Sequence, residues 1–399
     1  IKGLANTEKN FRGKLIGLNR LNLVEKKQVE EKELQIFIDA DPERKAKYGS
    51  LLSEIGTIYQ QMRDEADREL VLTYLLRSST PLSNAYTVYE SSIERKKKDM
   101  ERESPYMDRN FARTKERVFL GLTDYYEPTD KVIFKEILMR AAKLSRGQTI
   151  PAIEDIIKNK TNPEEAMNNF LASAYAKSRM TDEKMIADLF NESPKKIKKT
   201  DDPFIELAIA LYPTFKAREE KSKARQGAID KFYAQLIDVK KDFLAKDFVP
   251  DANGTLRLTY GRIRGYSPRD AVYAEPITTA TGVLEKTTGE DPFDSPPKLI
   301  DLINAKDFGR FEHPKLKSVP VAILYNMDTT GGNSGSPVLN ARGEMVGINF
   351  DRAFEATIND YAWSEDYSRS IAVDIRYVLW VTQKFGGAEY LLDEMGIDY

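Results

Sequence analysis

The ten residues Thr330–Leu339 read TGGNSGSPVL. Ser334 stands in the run Gly332-Asn333-Ser334-Gly335, where glycine lets the backbone turn sharply and lets another chain approach it closely. Downstream, the apolar run PVLN, the short polar stretch ARG and the second run EMVGINF form a β-hairpin pattern. A serine held on a tight loop ahead of a strand, turn and strand is placed to present its hydroxyl outward. The bare pattern G-x-S-x-G also occurs in polar turns with no chemistry attached. Here the paired glycines ahead, the Pro337-Val338 start behind and the hairpin beyond favour a nucleophile.

Working outward, the surrounding texture is β from Asp247 to Tyr399. Short runs rich in Thr, Val, Tyr and Ile, such as GTLRLTYGRIRGY, TATGVLEKTTG and VPVAILYN, are broken by Gly, Pro, Asn and Asp. The segment AVDIRYVLWVTQKFGG is expected to close this region as a helix ending at Gly386-Gly387. Upstream, residues 1–246 carry helical periodicity: Leu51, Ile55, Ile58, Tyr59 and Met62 recur at three- and four-residue steps, as do Ala166, Phe170 and Ala174. Thr161 and Thr181 supply hydroxyls where helices should begin, with acids in the first turn. The fold class expected is therefore α + β and multidomain: a helical domain over 1–246, then antiparallel β over 247–399. The charged runs ERKKKDMERE and SPKKIKKTDD read as solvated helix faces.

A serine hydroxyl needs a positioned base, usually a histidine oriented by a carboxylate. The amides of Gly332 and Ser334 would converge on the developing oxyanion. The chain has one histidine, His313, in the charged segment RFEHPKLKSVP, which reads as surface. The base is therefore expected outside this chain. Arg352, beyond the hairpin in VGINFDR, reads equally as an ordinary exposed arginine or as a guanidinium able to fork onto a substrate carboxylate. Asp328 is its rival, since an acid six residues ahead of the serine would favour basic substrates and would pair with Arg352 when the pocket is empty.

Composition narrows the partners. The 399 residues carry 61 basic and 63 acidic side chains, a net charge of -2, so bulk charge recruits no nucleic acid. No apolar run reaches the roughly 18 residues of a membrane span. The N-terminus lacks a signal-peptide pattern and is expected to be that of a mature chain or a piece of one. With no cysteine and a lone histidine, no metal site and no cofactor are expected.

The stretches FVPDANGTLRLTYGRIRGY (248–266), TTGGNSGSPVLNARGEMVGINFDR (329–352) and RSIAVDIRYVLWV, behind a long helical region, resemble the bacterial dipeptidyl peptidases of serine-peptidase family forty-six, on the Asp/Glu-specific branch. The resemblance implies a chymotrypsin-type double β-barrel whose inserted helical domain caps the cleft. It implies that the β region here is the barrel half bearing the nucleophile. The first barrel, with the catalytic histidine and aspartate, would lie on polypeptide ahead of Ile1. Carried over to this sequence, Ser334 is the nucleophile, and Gly332 and Ser334 form the oxyanion hole. Arg352 reads an acidic P1 side chain where hydrophobic-preferring relatives have glycine. Asp351 and Asn6 hold the substrate's α-ammonium, with Asn10 competing for the role of Asn6.

The function expected is a serine exopeptidase releasing N-terminal dipeptides with Asp or Glu at P1. Its partners would be peptides with a free N-terminus, the missing barrel segment and a second copy in a homodimer. Its site of action would be the periplasm or surface of a Gram-negative bacterium. The competing expectation is a non-catalytic fragment or helical interaction module, inactive by itself because the histidine and aspartate are absent.

Overall fold

The computed structural model describes residues 2–158, 162–248 and 254–397. The chain divides into two compact units, Leu34–Asp247 and the combination of Ile1–Glu33 with Phe248–Tyr399. The expected helical domain of 1–246 is thus corrected at its start. Residues 2–20 and 23–33 are helical as their pattern requires, but they belong to the unit that holds the sheet.

The unit Leu34–Asp247 is built of helices and closes on the 42-residue helix Pro203–Leu244. Its core gathers Leu72, Leu75, Leu82, Phe134, Leu138, Met167 and Phe204. The helix starts are sharp. Asn162 accepts hydrogen bonds from the amides of Glu164 and Glu165, Asp182 from Met185, and Asp202 from Phe204 and Ile205. At the two starts expected from the sequence the caps are Asn162 and Asp182, and Asp202 caps the long helix in the same way. The threonine hydroxyls are displaced by one residue because carboxylate and amide oxygens reach the free amides of the first turn. Thr161 lies outside the described residues.

Among the described residues the second unit contains α1 (Lys2–Arg20) and seven strands: β1 (Tyr266–Arg269), β2 (Val272–Ala274), β3 (Ile277–Thr279), β4 (Pro320–Tyr325), β5 (Pro337–Leu339), β6 (Met345–Arg352) and β7 (Ser370–Asp374). β1 and β2 form a ribbon, and the rest form an antiparallel sheet in the order β3-β4-β7-β6-β5. Ile323, Tyr325, Val338 and Ala372 fill one core on it. Trp380, Phe308, Phe311, Ile303 and Leu299 fill another.

Three expected elements change. The run TATGVLEKTTG is mostly the helix Ala280–Lys286, because Ala280, Val283 and Leu284 fall at helical steps and pack into the Trp380 core. In GTLRLTYGRIRGY the pairing begins late, with the isolated bridge of Ile263 to Tyr325 and then β1; residues 249–253 lie outside the described ones. The closing segment starts as β7, is α-helical over Ile375–Trp380 and continues in a wider helical turn over Val381–Phe385 that stops at Gly386-Gly387 as expected; a further helix, Glu389–Glu394, follows.

α1 meets the 3-10 segment Phe354–Asp360 at very short range. A methyl carbon added at Gly13 would fall 2.2 Å from Thr357 Oγ1, and one at Gly17 would fall 2.6 Å from Ile358 Cβ. Only glycine permits that approach.

Candidate active site

The loop carrying Ser334 leaves β4 and enters β5. Gly332 has φ +100° and Gly335 φ +88°, a region that residues with a Cβ seldom adopt. The turn between them is stapled from both sides. Thr330 N donates to Asn333 Oδ1 at 2.9 Å, and Ser336 N donates to Asn333 O at 3.0 Å. Asn333 is therefore a loop staple.

Asn349 on β6 supports the loop from beneath and is only 5% exposed. Its carbonyl accepts from Gly335 N at 2.8 Å, its amide donates to Ser336 O at 2.9 Å, and its Nδ2 donates to Asn333 O at 3.2 Å. The Tyr325 hydroxyl donates to its Oδ1. Every polar group of this buried amide side chain is thereby engaged, which makes the loop rigid. Sequence reasoning missed Asn349 and Tyr325. Their only signal was a polar residue on the buried phase of a strand.

The loop presents its chemistry to solvent. Ser334 is exposed, and its hydroxyl donates to Phe350 O at 3.3 Å. Among the described residues the amides of Gly332 and Ser334 donate to no protein acceptor, as an oxyanion site requires. Phe350 is the bulged residue of β6, where the register to β7 shifts between Asn349 and Asp351. β5 pairs with β6 only as far as Ile348, and the Ser336 and Gly335 bonds extend the contact to Asn349. Beyond it, among the described residues, no strand pairs with the β5 side of Phe350 to Arg352, the kind of edge an extended peptide can join.

Arg352 ends β6. Its side chain is 16% exposed, and its Nη1 donates to Asp360 Oδ1 at 3.0 Å. The other oxygen of Asp360 pairs with Lys14 Nζ at 2.6 Å. Burial opposes ionisation of Asp360, but the hydrogen bonds from Arg352 and Lys14 outweigh it and hold the carboxyl below its usual range. Asp328, the rival acid that would pair with Arg352 only if it pointed into the pocket, does not do so. Asp328 is exposed and unpaired among the described residues, and Asp360, brought in by the 3-10 segment, is the counterion. Sequence reasoning missed both Asp360 and Lys14.

Asp351 is exposed, and its Oδ1 accepts from the amide of Arg352 at 2.8 Å. Asn6 and Asn10 lie one turn apart on α1, where Asn10 Nδ2 donates to Asn6 O at 2.9 Å and to Asn6 Oδ1 at 3.2 Å. Their spacing puts them on the helix face of Gly13 and Gly17, the face that meets the segment following Arg352. His313 is committed elsewhere: its Nδ1 accepts from the amides of Lys315 and Leu316, both at 3.2 Å. Among the described residues no cluster of three or more His, Asp or Glu side chains could hold a metal. No described helix is long and apolar enough to cross a membrane.

Comparison with known proteins matches residues 1–397 to the Peptidase S46 family. The Asp/Glu-specific dipeptidyl-peptidase of Shewanella putrefaciens is 31% identical over 99% of this chain and 56% of its own length. Dipeptidyl-peptidase 7 of Capnocytophaga gingivalis is also 31% identical, over 99% of this chain and 54% of its own. Among solved structures, Porphyromonas endodontalis DPP11 in complex with the dipeptide Arg-Glu aligns with a TM-score of 0.75 at 27% identity, covering 98% of this chain and 55% of that one. The chain thus spans about half the length of the relatives it matches.

Proposed function

The chain belongs to the peptidase S46 family, and we propose that it supplies the nucleophile and the substrate-reading residues of a serine exopeptidase that releases N-terminal dipeptides with Asp or Glu at P1. In this reading Ser334 Oγ attacks the carbonyl after the second residue, and the Gly332 and Ser334 amides take the oxyanion. The proton passes to a histidine, oriented by an aspartate, on polypeptide outside this chain. Asp351 and Asn6 receive the α-ammonium. The sheet is then the serine-bearing half of a chymotrypsin-type double barrel, in a homodimeric enzyme of the periplasm or cell surface.

The observation that carries the acidic preference is Arg352. Identity does not decide it, because an Asp/Glu-specific relative and a dipeptidyl-peptidase 7 are each 31% identical to this chain. Arg352 lies two residues beyond the carbonyl that Ser334 touches, with one edge of its guanidinium unused among the described residues. For the chain taken alone a second reading has support. The Ser334 hydroxyl donates to Phe350 O, where no base can accept its proton, so this chain by itself should be inert.

Both readings are tested by assaying the full-length protein and this chain with Leu-Asp, Leu-Arg and Leu-Leu dipeptidyl substrates and a fluorophosphonate. Full-length protein should prefer Leu-Asp, lose activity on Ser334→Ala, and label at Ser334. The isolated chain should do neither. Equal turnover of Leu-Arg and Leu-Asp would end the specificity claim, and labelling of the isolated chain would end the claim of a base outside it.

A further inference from the structure

A pocket that selects a carboxylate must offer net positive charge as well as hydrogen bonds. Arg352 with Asp360 alone does not, because the pair sums to zero and Asp360 would repel the incoming acid about as strongly as Arg352 attracts it. Lys14 changes that sum. Each oxygen of Asp360 is engaged by one cation, Oδ1 by Arg352 and Oδ2 by Lys14, which leaves the cluster at +1. All three side chains are largely sheltered, at 16%, 22% and 31% exposure for Arg352, Lys14 and Asp360. Solvent screening is therefore weaker than at an open surface.

The geometry is also directional. Asp360 takes only Nη1 of the guanidinium, and among the described residues Nε and Nη2 donate to no protein acceptor. Those two groups form the edge that can hold a carboxylate through two parallel bonds. Asp360 ends the 3-10 segment on which α1 is seated through Gly13 and Gly17, and Lys14 lies between those glycines on the same helix. Lys14 Nζ also lies 5.7 Å from the centre of the Tyr361 ring. A single packing contact thus brings the lysine to the acid and fixes the acid against the arginine.

We propose that Asp360 and Lys14 are positioning residues of the acidic P1 pocket: Asp360 aims Arg352, and Lys14 cancels the charge of Asp360 so that Arg352 remains attractive to a P1 carboxylate. This rests on the reading of Arg352 given above. It adds that specificity depends on a lysine from α1, far from the nucleophile in sequence.

The test uses the full-length enzyme and two dipeptidyl substrates that differ only in Glu or Gln at P1, which are nearly isosteric and separate charge from fit. Lys14→Met takes the cluster to zero and should lower the Glu/Gln ratio of kcat/KM roughly five- to tenfold, through KM for the Glu substrate. Asp360→Asn keeps an acceptor for Nη1, adds one unit of charge and should raise the ratio. The double variant Lys14→Met/Asp360→Asn returns to +1 and should recover the wild-type ratio, which loss of mere structural support would not do. Equal losses on Glu and Gln in Lys14→Met, or no recovery in the double variant, would overturn the proposal. Because Asp360→Asn moves the charge in the opposite direction, a fall in its ratio overturns the proposal even where Lys14→Met does not fold. A wild type that does not distinguish Glu from Gln, or an Arg352→Met variant that still does, would overturn the reading of Arg352 itself and this proposal with it.

Discussion

Alanine at Gly17 and alanine at Gly56 add the same methyl group to a helix, and they should act in opposite directions. Gly56 lies inside the helix Leu51–Asp64, and an added Cβ there meets nothing within 4 Å. Gly56→Ala should therefore gain the helix-propensity difference of about 0.5–1 kcal/mol. At Gly17 the added carbon falls 2.6 Å from Cβ, 2.8 Å from Cγ1 and 3.2 Å from Cδ1 of Ile358, which is 1% exposed. Carbon atoms prefer about 3.5–4 Å, so α1 would have to retreat by about 1 Å along its contact. Overpacking of this kind costs about 1–3 kcal/mol. With the propensity gain subtracted, a net loss of up to about 2.5 kcal/mol remains. At about 2–4 °C per kcal/mol for a unit of about 150–250 residues, Gly17→Ala should lower Tm and Gly56→Ala should raise it slightly. Amide exchange of Lys2–Arg20 gives the local reading and should quicken only in Gly17→Ala. If Gly17→Ala matched Gly56→Ala in both measurements, α1 would not be seated on Phe354–Asp360 as described, and the link from Lys14 to Arg352 would fail with it.

Two further outcomes are expected. Arg352→Met removes two charge-assisted bonds to a P1 carboxylate, each worth about 1.5–3 kcal/mol, and leaves Asp360 near the pocket. Steady-state kinetics should show kcat/KM on a Glu substrate falling by about two to four orders of magnitude, with a hydrophobic P1 substrate little affected; equal losses on both would point to a structural role. In the helical unit, burial opposes ionisation of Glu219, but hydrogen bonds from Lys216 and Lys223 overcome it and hold the carboxyl at about 2, against 4.5 unperturbed. The unfolded chain binds more protons between those values, so the stabilisation is complete above about 4.5 and is lost as pH falls toward 2; the urea-stability gap between wild type and Glu219→Gln should narrow over that window, and a gap constant from pH 6 to pH 2 would contradict it.

Much of the fold was legible because its signals are local. The change from three- and four-residue steps to short β runs marks the boundary near Asp247, and the glycine-flanked serine with its hairpin marks the loop proposed to carry the nucleophile. What was not legible depends on partners. Periodicity shows that residues 2–20 are helical, but not which core the helix joins. Gly13 and Gly17, four residues apart on one face, were the available sign of a close seat, since unseated glycines only weaken a helix. TATGVLEK was read as strand from its Thr and Val content, while its core residues Ala280, Val283 and Leu284 already had helical spacing.

The same distinction governs the site. The roles proposed for Ser334 and Gly332 depend on the conformation of their own loop, so their spacing alone carries the signal. Arg352 acts through what surrounds it, and the sequence offered Asp328 as a counterion only because it lies near Ser334 in the chain. The fold instead supplies Asp360 from the segment after β6 and Lys14 from the N-terminal helix. That exchange alters the chemistry expected of the pocket. An Arg352–Asp328 pair would have been neutral and able to open toward either charge, whereas a carboxylate held between two cations keeps Arg352 aimed and the site positive. A change at Lys14 or Asp360 could thus shift substrate preference while leaving Arg352 and the nucleophile loop intact, so the presence of arginine at this position is insufficient to define an acidic pocket. The charge balance around the arginine must be read with it.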